Sequence, residues 1–446
     1  MPLDSPASTP PSAVRRANQR SFILRAYGIL AITTALAVAA TFLYVWVEPI
    51  PVQDWYMTPL NRQASTVSVT LDEVGALHVA YSYGPLYYGT NRGGAWIWRL
   101  VDNQSTCCAS LAIDSVGRVH IAYSAWNGSY PPFYLRYAMW DGQVVAVRTF
   151  LTASWAGVPS IAIDSRNHVH LSFIAYKGDY TIESLFYATD ETGDWGISVA
   201  ANYTWPALLS DSLVLDGQDR VHIAVGLAPE EGSVGVLSRI GNAWQFEQVD
   251  NSADWVDSVS LAVDASGHLH LAYPFLTSLQ ATPLTRYATN TTGTWSRTDI
   301  GPADRSYEAL TVDSSGHPHI LFAQNSHLMY ASDVSGSWKQ SEVSSSRGYD
   351  EPHAFGIATG PGERIHIVAV HPTSGQTIEY YSDVPPPGTL DTYVARALPF
   401  LTWEAIGSVV AVVAVPASLR FRLALQVRHE RKIWAAAKYQ ELVRLR

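Results

Sequence analysis

A chain of 446 residues that is 47% hydrophobic, 11% aromatic and 15% charged has the material for a large core, and its composition is neither that of a disordered chain nor that of a helical one. Its formal charge of −10 sits in a middle almost free of lysine, while both ends are basic, so the middle repels nucleic acid and no nucleic-acid partner is expected. The cysteine complement is the adjacent pair Cys107 and Cys108; a bond between neighbours closes a strained ring and cannot staple a fold.

From the amino terminus, residues 1–26 are rich in Pro, Ser and Ala and carry Arg15, Arg16, Arg20 and Arg25, the composition of a disordered basic cytoplasmic segment. Tyr27 to Val47 is uncharged and apolar over the length of a spanning helix, which predicts a signal anchor at 27–47. A cleaved signal peptide is the competing reading, because Ala37-Val38-Ala39 has the form of a cleavage site, although apolar residues continue past it.

Residues 50–384 then repeat one phrase: SVTLDEVGALHVAY, SLAIDSVGRVHIAY, SIAIDSRNHVHLSF, SLVLDGQDRVHIAV, SLAVDASGHLHLAY, ALTVDSSGHPHILF and a degenerate GIATGPGERIHIVA. The histidines at their fixed position recur every 42 to 52 residues, the period of propeller blades. Each phrase reads as two alternating strands, A and B, joined by a tight turn at Asp-x-x-Gly, with Asn167 and Asp219 standing where Gly supplies positive φ. A third strand, C, ends in Tyr-Ala-Thr/Ser, and a fourth, D, begins at Gly-x-Trp (Trp96, Trp195, Trp295, Trp338), with Trp244 in the equivalent place. The expected fold is all-β: a seven-bladed β-propeller of four-stranded antiparallel blades, flanked by two transmembrane helices.

The last repeat runs into Pro385-Pro386-Pro387 without a Gly-x-Trp strand, whereas Gln53 to Met57 precedes the first repeat with a tryptophan at Trp55. That segment is expected to supply the missing strand and close the ring, leaving no open edge. Strand parity then places both chain exits on the face of the A–B turns, which looks toward the membrane, and points the other face away from the cell.

After a Pro-rich linker at 385–396, residues 397–419 form a second candidate span broken only by Glu404. A basic helix at 420–446 with eight Arg and Lys follows, and the positive-inside rule puts both termini in the cytoplasm and the propeller outside. Sequons at Asn103, Asn127, Asn202 and Asn290 all fall in the outer region.

The pairs Asp72/His78, Asp114/His120, Asp164/His170, Asp216/His222, Asp264/His270 and Asp313/His319, with His366 in the last repeat, look like site residues taken singly. Their repetition points instead to a brace that satisfies each A–B turn, since a catalytic constellation is needed once. His168, His268 and His317 make His-x-His pairs, a spacing that suits metal. Other repeats hold Arg or Ala in that slot, so no metal and no cofactor is expected. Ligand-binding candidates are aromatics that break the repeat and belong to the outward face: Trp126, Tyr130, Tyr176 and Tyr180 in B–C loops, and Trp155, Trp205 and Trp255 in D–A loops. The alternative for each tryptophan is a filler between neighbouring blades.

SLAxD-x-x-G-x-x-HIAY followed by YAT-x-x-G-x-W resembles the repeats of prokaryotic cell-surface propellers grouped with the sialidase-like, Asp-box-bearing superfamily, over about three quarters of the chain. The resemblance implies a propeller and glycan chemistry. Thr189 to Trp195 resembles an Asp-box with altered spacing, and no arginine triad with a Tyr/Glu pair is legible, since Arg136 and Arg286 occupy a repeated strand position. A membrane-anchored binding or scaffold module for glycans or envelope proteins is therefore expected, with an extracellular sialidase-like glycoside hydrolase as the alternative. Signalling through the two helices and the basic tail is a third reading; it would need a cytoplasmic partner.

Overall fold

The computed structural model describes residues 55–383 except 129–131, 144, 177–181, 205–207, 228–233, 254–255, 277–280, 305–306, 345–347, 350–353 and 372–375. These residues belong to one compact unit, 54–384. The expected spans at 27–47 and 397–419, and the segments 1–26, 385–396 and 420–446, lie outside the described residues. Among the described residues no helix is long and apolar enough to cross a membrane.

The unit is built of antiparallel strands in propeller-like sheets. In the fifth repeat Ser260–Val263 pairs with Leu269–Phe275, which pairs with Leu284–Thr289, which pairs with Ser296–Pro302. The turn between the first two is dictated by its sequence. Gly267, at φ +84°, donates its N–H to the Asp264 carbonyl at 3.0 Å, and Asp264 Oδ1 accepts the N–H groups of Ser266 and His268, both at 2.8 Å. Asn167, Asp219 and Glu363 hold the same left-handed position at φ +69°, +59° and +61°. Each of these three grips the preceding turn: Ser115 N–H donates to Asn167 Oδ1 and Ser165 N–H to Asp219 Oδ1, both at 2.9 Å, while the Ser315 hydroxyl donates to the Glu363 carboxylate. The backbone strain of a non-glycine residue is thus offset by a hydrogen bond between repeats.

Burial peaks on the second strand of each repeat, the first strands being half-buried against the axial cavity. The second strands Leu77–Ser82 and Val221–Leu227 are buried throughout, while the outer strand Ser296–Pro302 is mostly exposed. First strands touch in a closed cycle: Thr66–Leu71 meets Ile97–Ile113, which meets Ser160–Ile163, and contact passes through Leu208–Leu215, Ser260–Val263, Ala309–Val312 and Phe355–Thr359 back to Thr66–Leu71. Neighbours in this cycle are not paired by a backbone ladder, and serine hydroxyls take over: Ser160, Ser212 and Ser260 Oγ accept N–H from Leu213, Leu261 and Leu310 at 2.9, 3.1 and 3.0 Å.

Closure follows the sequence expectation. Tyr56–Gln63 pairs antiparallel with Thr377–Ser382, Tyr56 opposite Ser382. Trp55 lies edge-on to Tyr330 with centroids 4.9 Å apart, the relation that Trp195, Trp244 and Trp338 bear to Tyr137, Tyr187 and Tyr287 at 5.2, 5.3 and 5.1 Å.

Two sheets depart from the expected separate four-stranded units, one of five strands and, more markedly, one of seven. Ile97–Ile113 is continuous, serving as the fourth strand of the first repeat and the first strand of the second, so the two merge into one seven-stranded sheet. The reason is local. The stretch from Val101 to Ser110 has no Gly or Pro, unlike Gly157-Val158-Pro159 at the next junction, and the change of direction is absorbed by register shifts and by Cys108 at φ +62°.

Candidate functional site

The repeated Asp and His residues form braces. In the second repeat the Asp114 carboxylate accepts from His120 Nε2 at 3.2 Å, and Tyr137 Oη donates to His120 Nδ1 at 2.6 Å. An ionised carboxylate only accepts, so this arrangement fixes the neutral imidazole tautomer. The tyrosine is the one in the Tyr-Ala motif of strand C, and Tyr88, Tyr187, Tyr287, Tyr330 and Tyr380 repeat it on His78, His170, His270, His319 and His366 at 2.5 to 2.7 Å. His222 uses Ser238 at 2.8 Å. Backbone and side-chain donors hold the carboxyls of Asp72, Asp114, Asp164, Asp216, Asp264 and Asp313 below the usual carboxylate range against the opposing effect of burial. Asp114→Ala strands a buried imidazole and two turn N–H groups and should cost about 2–3 kcal/mol in thermal or chaotrope unfolding.

His168 and His268 take the carboxylate oxygen of their turn aspartates at 2.8 and 2.9 Å, and His170 and His270 Nε2 are left buried without a partner. Asp164, His170 and Glu191 bring one ligand atom each within 4.8 Å of the others. Arg239 Nη1, however, donates to Glu191 Oε2 at 2.9 Å, and a fixed guanidinium at that distance opposes a cation. The cluster is an ion-pair network.

Arg136 and Arg286 are likewise engaged between repeats. Arg136 Nη1 and Tyr123 Oη both donate to Asp102 Oδ2 at 2.7 Å; Arg286 Nη1 and Tyr273 Oη donate to Asp250 Oδ2 at 3.0 and 2.8 Å.

A cavity of about 560 Å³ lies along the first strands, at the ends away from the Asp-x-x-Gly turns. Its wall carries the hydroxyls of Ser68, Ser110, Ser160, Ser212 and Ser260, all four residues before a turn aspartate, together with the rings of Phe133, Trp155 and Tyr307. Among the described lining residues there is no Lys, Arg or His.

Asp211 also lines this cavity, five residues before its turn aspartate, where other repeats hold Val67, Ala109, Pro159, Val259 and Phe355 and the sixth holds Glu308. Asp211 Oδ2 accepts from Ser172 Oγ at 2.5 Å, Oδ1 is buried without a partner, and burial pushes the carboxyl up to about 7. Both carboxyl oxygens of Glu308 are buried and unpartnered, and burial pushes this group well above the carboxylate range. From the sequence Asp211 reads as one of several acidic loop residues without the ligand spacing of a calcium site, and Glu308 gives no signal of its own; aligning the repeats on their turns shows the two as breaks in an otherwise apolar column.

Of the predicted aromatic candidates, Trp155 meets the cavity. It stands not in a loop but in the short strand Trp155–Ala156, which adds to the edge of Val169–Tyr176 with Trp155 opposite Tyr176. Trp126 is the last residue of Val119–Trp126, its ring centroid 6.2 Å from that of Phe133. Tyr130, Tyr180, Trp205 and Trp255 lie outside the described residues.

No family model matches the chain, and no curated protein matches it. Solved structures similar to it include AofleA from Arthrobotrys oligospora, 13% identical with a TM-score of 0.44 over 65% of this chain and 89% of that one. Others are an ulvan lyase of polysaccharide lyase family PL25, 12% identical, TM-score 0.46, over 76% and 99%, and the intramolecular trans-sialidase from Ruminococcus gnavus, 11% identical, TM-score 0.40, over 72% and 94%. Likeness at this level says nothing of activity.

Proposed function

We propose that this protein is a membrane-anchored, extracytoplasmic propeller of seven blades that binds an uncharged glycan in its axial cavity. The observation that carries this reading is the composition of the wall: aromatic rings, a row of serine hydroxyls and a carboxyl held near neutrality, with no cationic side chain among the described lining residues. Rings stack on the apolar faces of sugars, and hydroxyls and a protonated acid exchange hydrogen bonds with theirs. A sialylated or sulfated ligand would need a fixed cation, and Arg136 and Arg286 are committed to Asp102 and Asp250. The chain enters and leaves the described unit beside the paired Tyr56 and Ser382, at the turn end.

A glycan array probed with the full chain tests this. Neutral glycans should be retained and sialylated ones ignored, with Trp155→Ala weakening retention by about tenfold or more. Retention of acidic glycans alone, or of none by folded protein, would refute the neutral-glycan reading and direct attention to envelope proteins. A second reading, glycoside hydrolysis, is favoured by one observation: a carboxyl at about 7 has the proton affinity of a general acid. Release of reducing sugar from a retained glycan, abolished by Asp211→Asn while binding persists, would mark the protein as an enzyme.

A further inference from the structure

Adjacent residues of a regular strand point to opposite faces, which would carry the sulfurs of Cys107 and Cys108 apart. Here the strand is bulged between them and the next paired residue. Cys107 pairs with Ser124 and Ser110 with Ala122, so Cys108 and Ala109 together oppose the single residue Tyr123. Cys108 takes up the extra length at φ +62°, a conformation that costs a non-glycine residue about 1–2 kcal/mol. As a result both cysteines, free thiols, line the axial cavity. Nothing in the brace, the serine ladder or the proposed ligand wall calls for two thiols at this place.

We propose that Cys107 and Cys108 form a dithiol site in the cavity wall that exchanges with low-molecular-weight disulfides and closes reversibly to a disulfide between the two neighbours. The neighbouring Cys108 thiol holds the Cys107 thiol below its ordinary range, while Cys107 and burial push Cys108 up, so Cys107 is the attacking sulfur. Its thiolate displaces one thiolate from the small disulfide and forms a mixed disulfide. Cys108 then gives up its proton and attacks the Cys107 sulfur, releasing the second small thiolate. The protein loses two electrons and two protons; one small disulfide becomes two thiols. A ring across one peptide spans Cα atoms about 3.8 Å apart, below the usual disulfide range of about 4.4–6.8 Å, so it is strained and easily reopened by a thiol. The cavity admits a molecule the size of a small peptide thiol.

The chain has two cysteines, so a free-thiol titration of the full chain reads this pair alone. After treatment with oxidised glutathione, both thiols should disappear, the mass should fall by two hydrogens with no adduct, and peptide mapping should place the link at 107–108. Mild reductant should restore both thiols. Cys108→Gly, which suits the left-handed position and preserves the fold, should instead keep a stable glutathione adduct on Cys107 because the resolving thiol is gone. A persistent adduct on the unaltered chain, a link between chains, or two thiols that stay unreactive in folded protein would overturn the proposal.

Discussion

Lowering the pH from 7.5 to 5.5 should destabilise the propeller steeply, with the loss beginning near pH 6.5. His78, His120, His170, His222, His270 and His319 are buried and His366 is half-buried, and burial is the first cause holding each below the ordinary value of 6.5. In the unfolded chain these imidazoles take up protons as the pH falls through 6.5; in the folded chain they remain neutral to lower pH. The unfolded state therefore binds more protons in that window, and stability falls as pH falls, by about 1.4 kcal/mol per pH unit for each histidine charged only when unfolded. Seven such groups act together, whereas a typical domain has about 5–15 kcal/mol to lose. The turn aspartates have the same sign at a lower window: their depressed folded values make stability present above 3.8 and lost as the pH falls below it. Thermal unfolding followed by tryptophan fluorescence at pH 7.5, 6.5 and 5.5 measures the slope. A midpoint that does not move between 7.5 and 5.5 would mean that the braces tolerate imidazolium, and the neutral tautomer assigned to them would have to be abandoned.

The repeat architecture was legible in the sequence because it is written in local chemistry. Asp-x-x-Gly specifies a turn, alternation specifies strands, and the lone Trp55 before the first repeat specified ring closure. The partner of the repeated histidine was half legible: Asp and His share one phrase, but the tyrosine that completes the brace lies on another strand, and only the pairing register brings it to the imidazole. The cavity was less legible. Sequence reasoning looked for aromatic loops at the blade ends and found Trp155, whereas the polar wall is made by serines on the first strands that pass in sequence as ordinary strand residues. Asp211 was visible only as an acidic loop residue without ligand spacing, and Glu308 was hidden, because an acid next to a strand reads as a solvated loop until its column in the repeat is compared. The cysteines were visible, but the rule that neighbours on a strand diverge concealed that a bulge turns both to one space.

Removing Asp102 should cost more than removing Asp250, although Asp250 makes the same tyrosine and arginine contacts and adds the Ser252 hydroxyl at 2.6 Å and Arg297 at 3.9 Å. Each sits at the end of one repeat and receives a tyrosine hydroxyl and an arginine from the next, and each is almost wholly buried. Arg286 has a second carboxylate: Asp299 accepts its Nε and Nη2 at 2.6 and 3.1 Å, so in Asp250→Ala the guanidinium stays paired. Arg136 has no such reserve. Its Nε is already buried without a partner, and among the described residues Asp102 is the one carboxylate it pairs with. Asp102→Ala therefore leaves a half-buried unpaired charge and an orphaned buried Tyr123 hydroxyl, for which about 2–4 kcal/mol is the expected loss. Asp250→Ala forfeits chiefly hydrogen bonds, about 1–3 kcal/mol. Chaotrope unfolding of the two variants at pH 7.5, above the histidine window, separates the terms. Equal losses would show that Asp299 does not stand in for Asp250, and that the guanidinium depends on the bridge between repeats rather than on having any carboxylate at all. The ordering also bears on function. An arginine whose loss of a partner destabilises the fold is spent on holding repeats together, and neither Arg136 nor Arg286 is among the described residues that line the cavity.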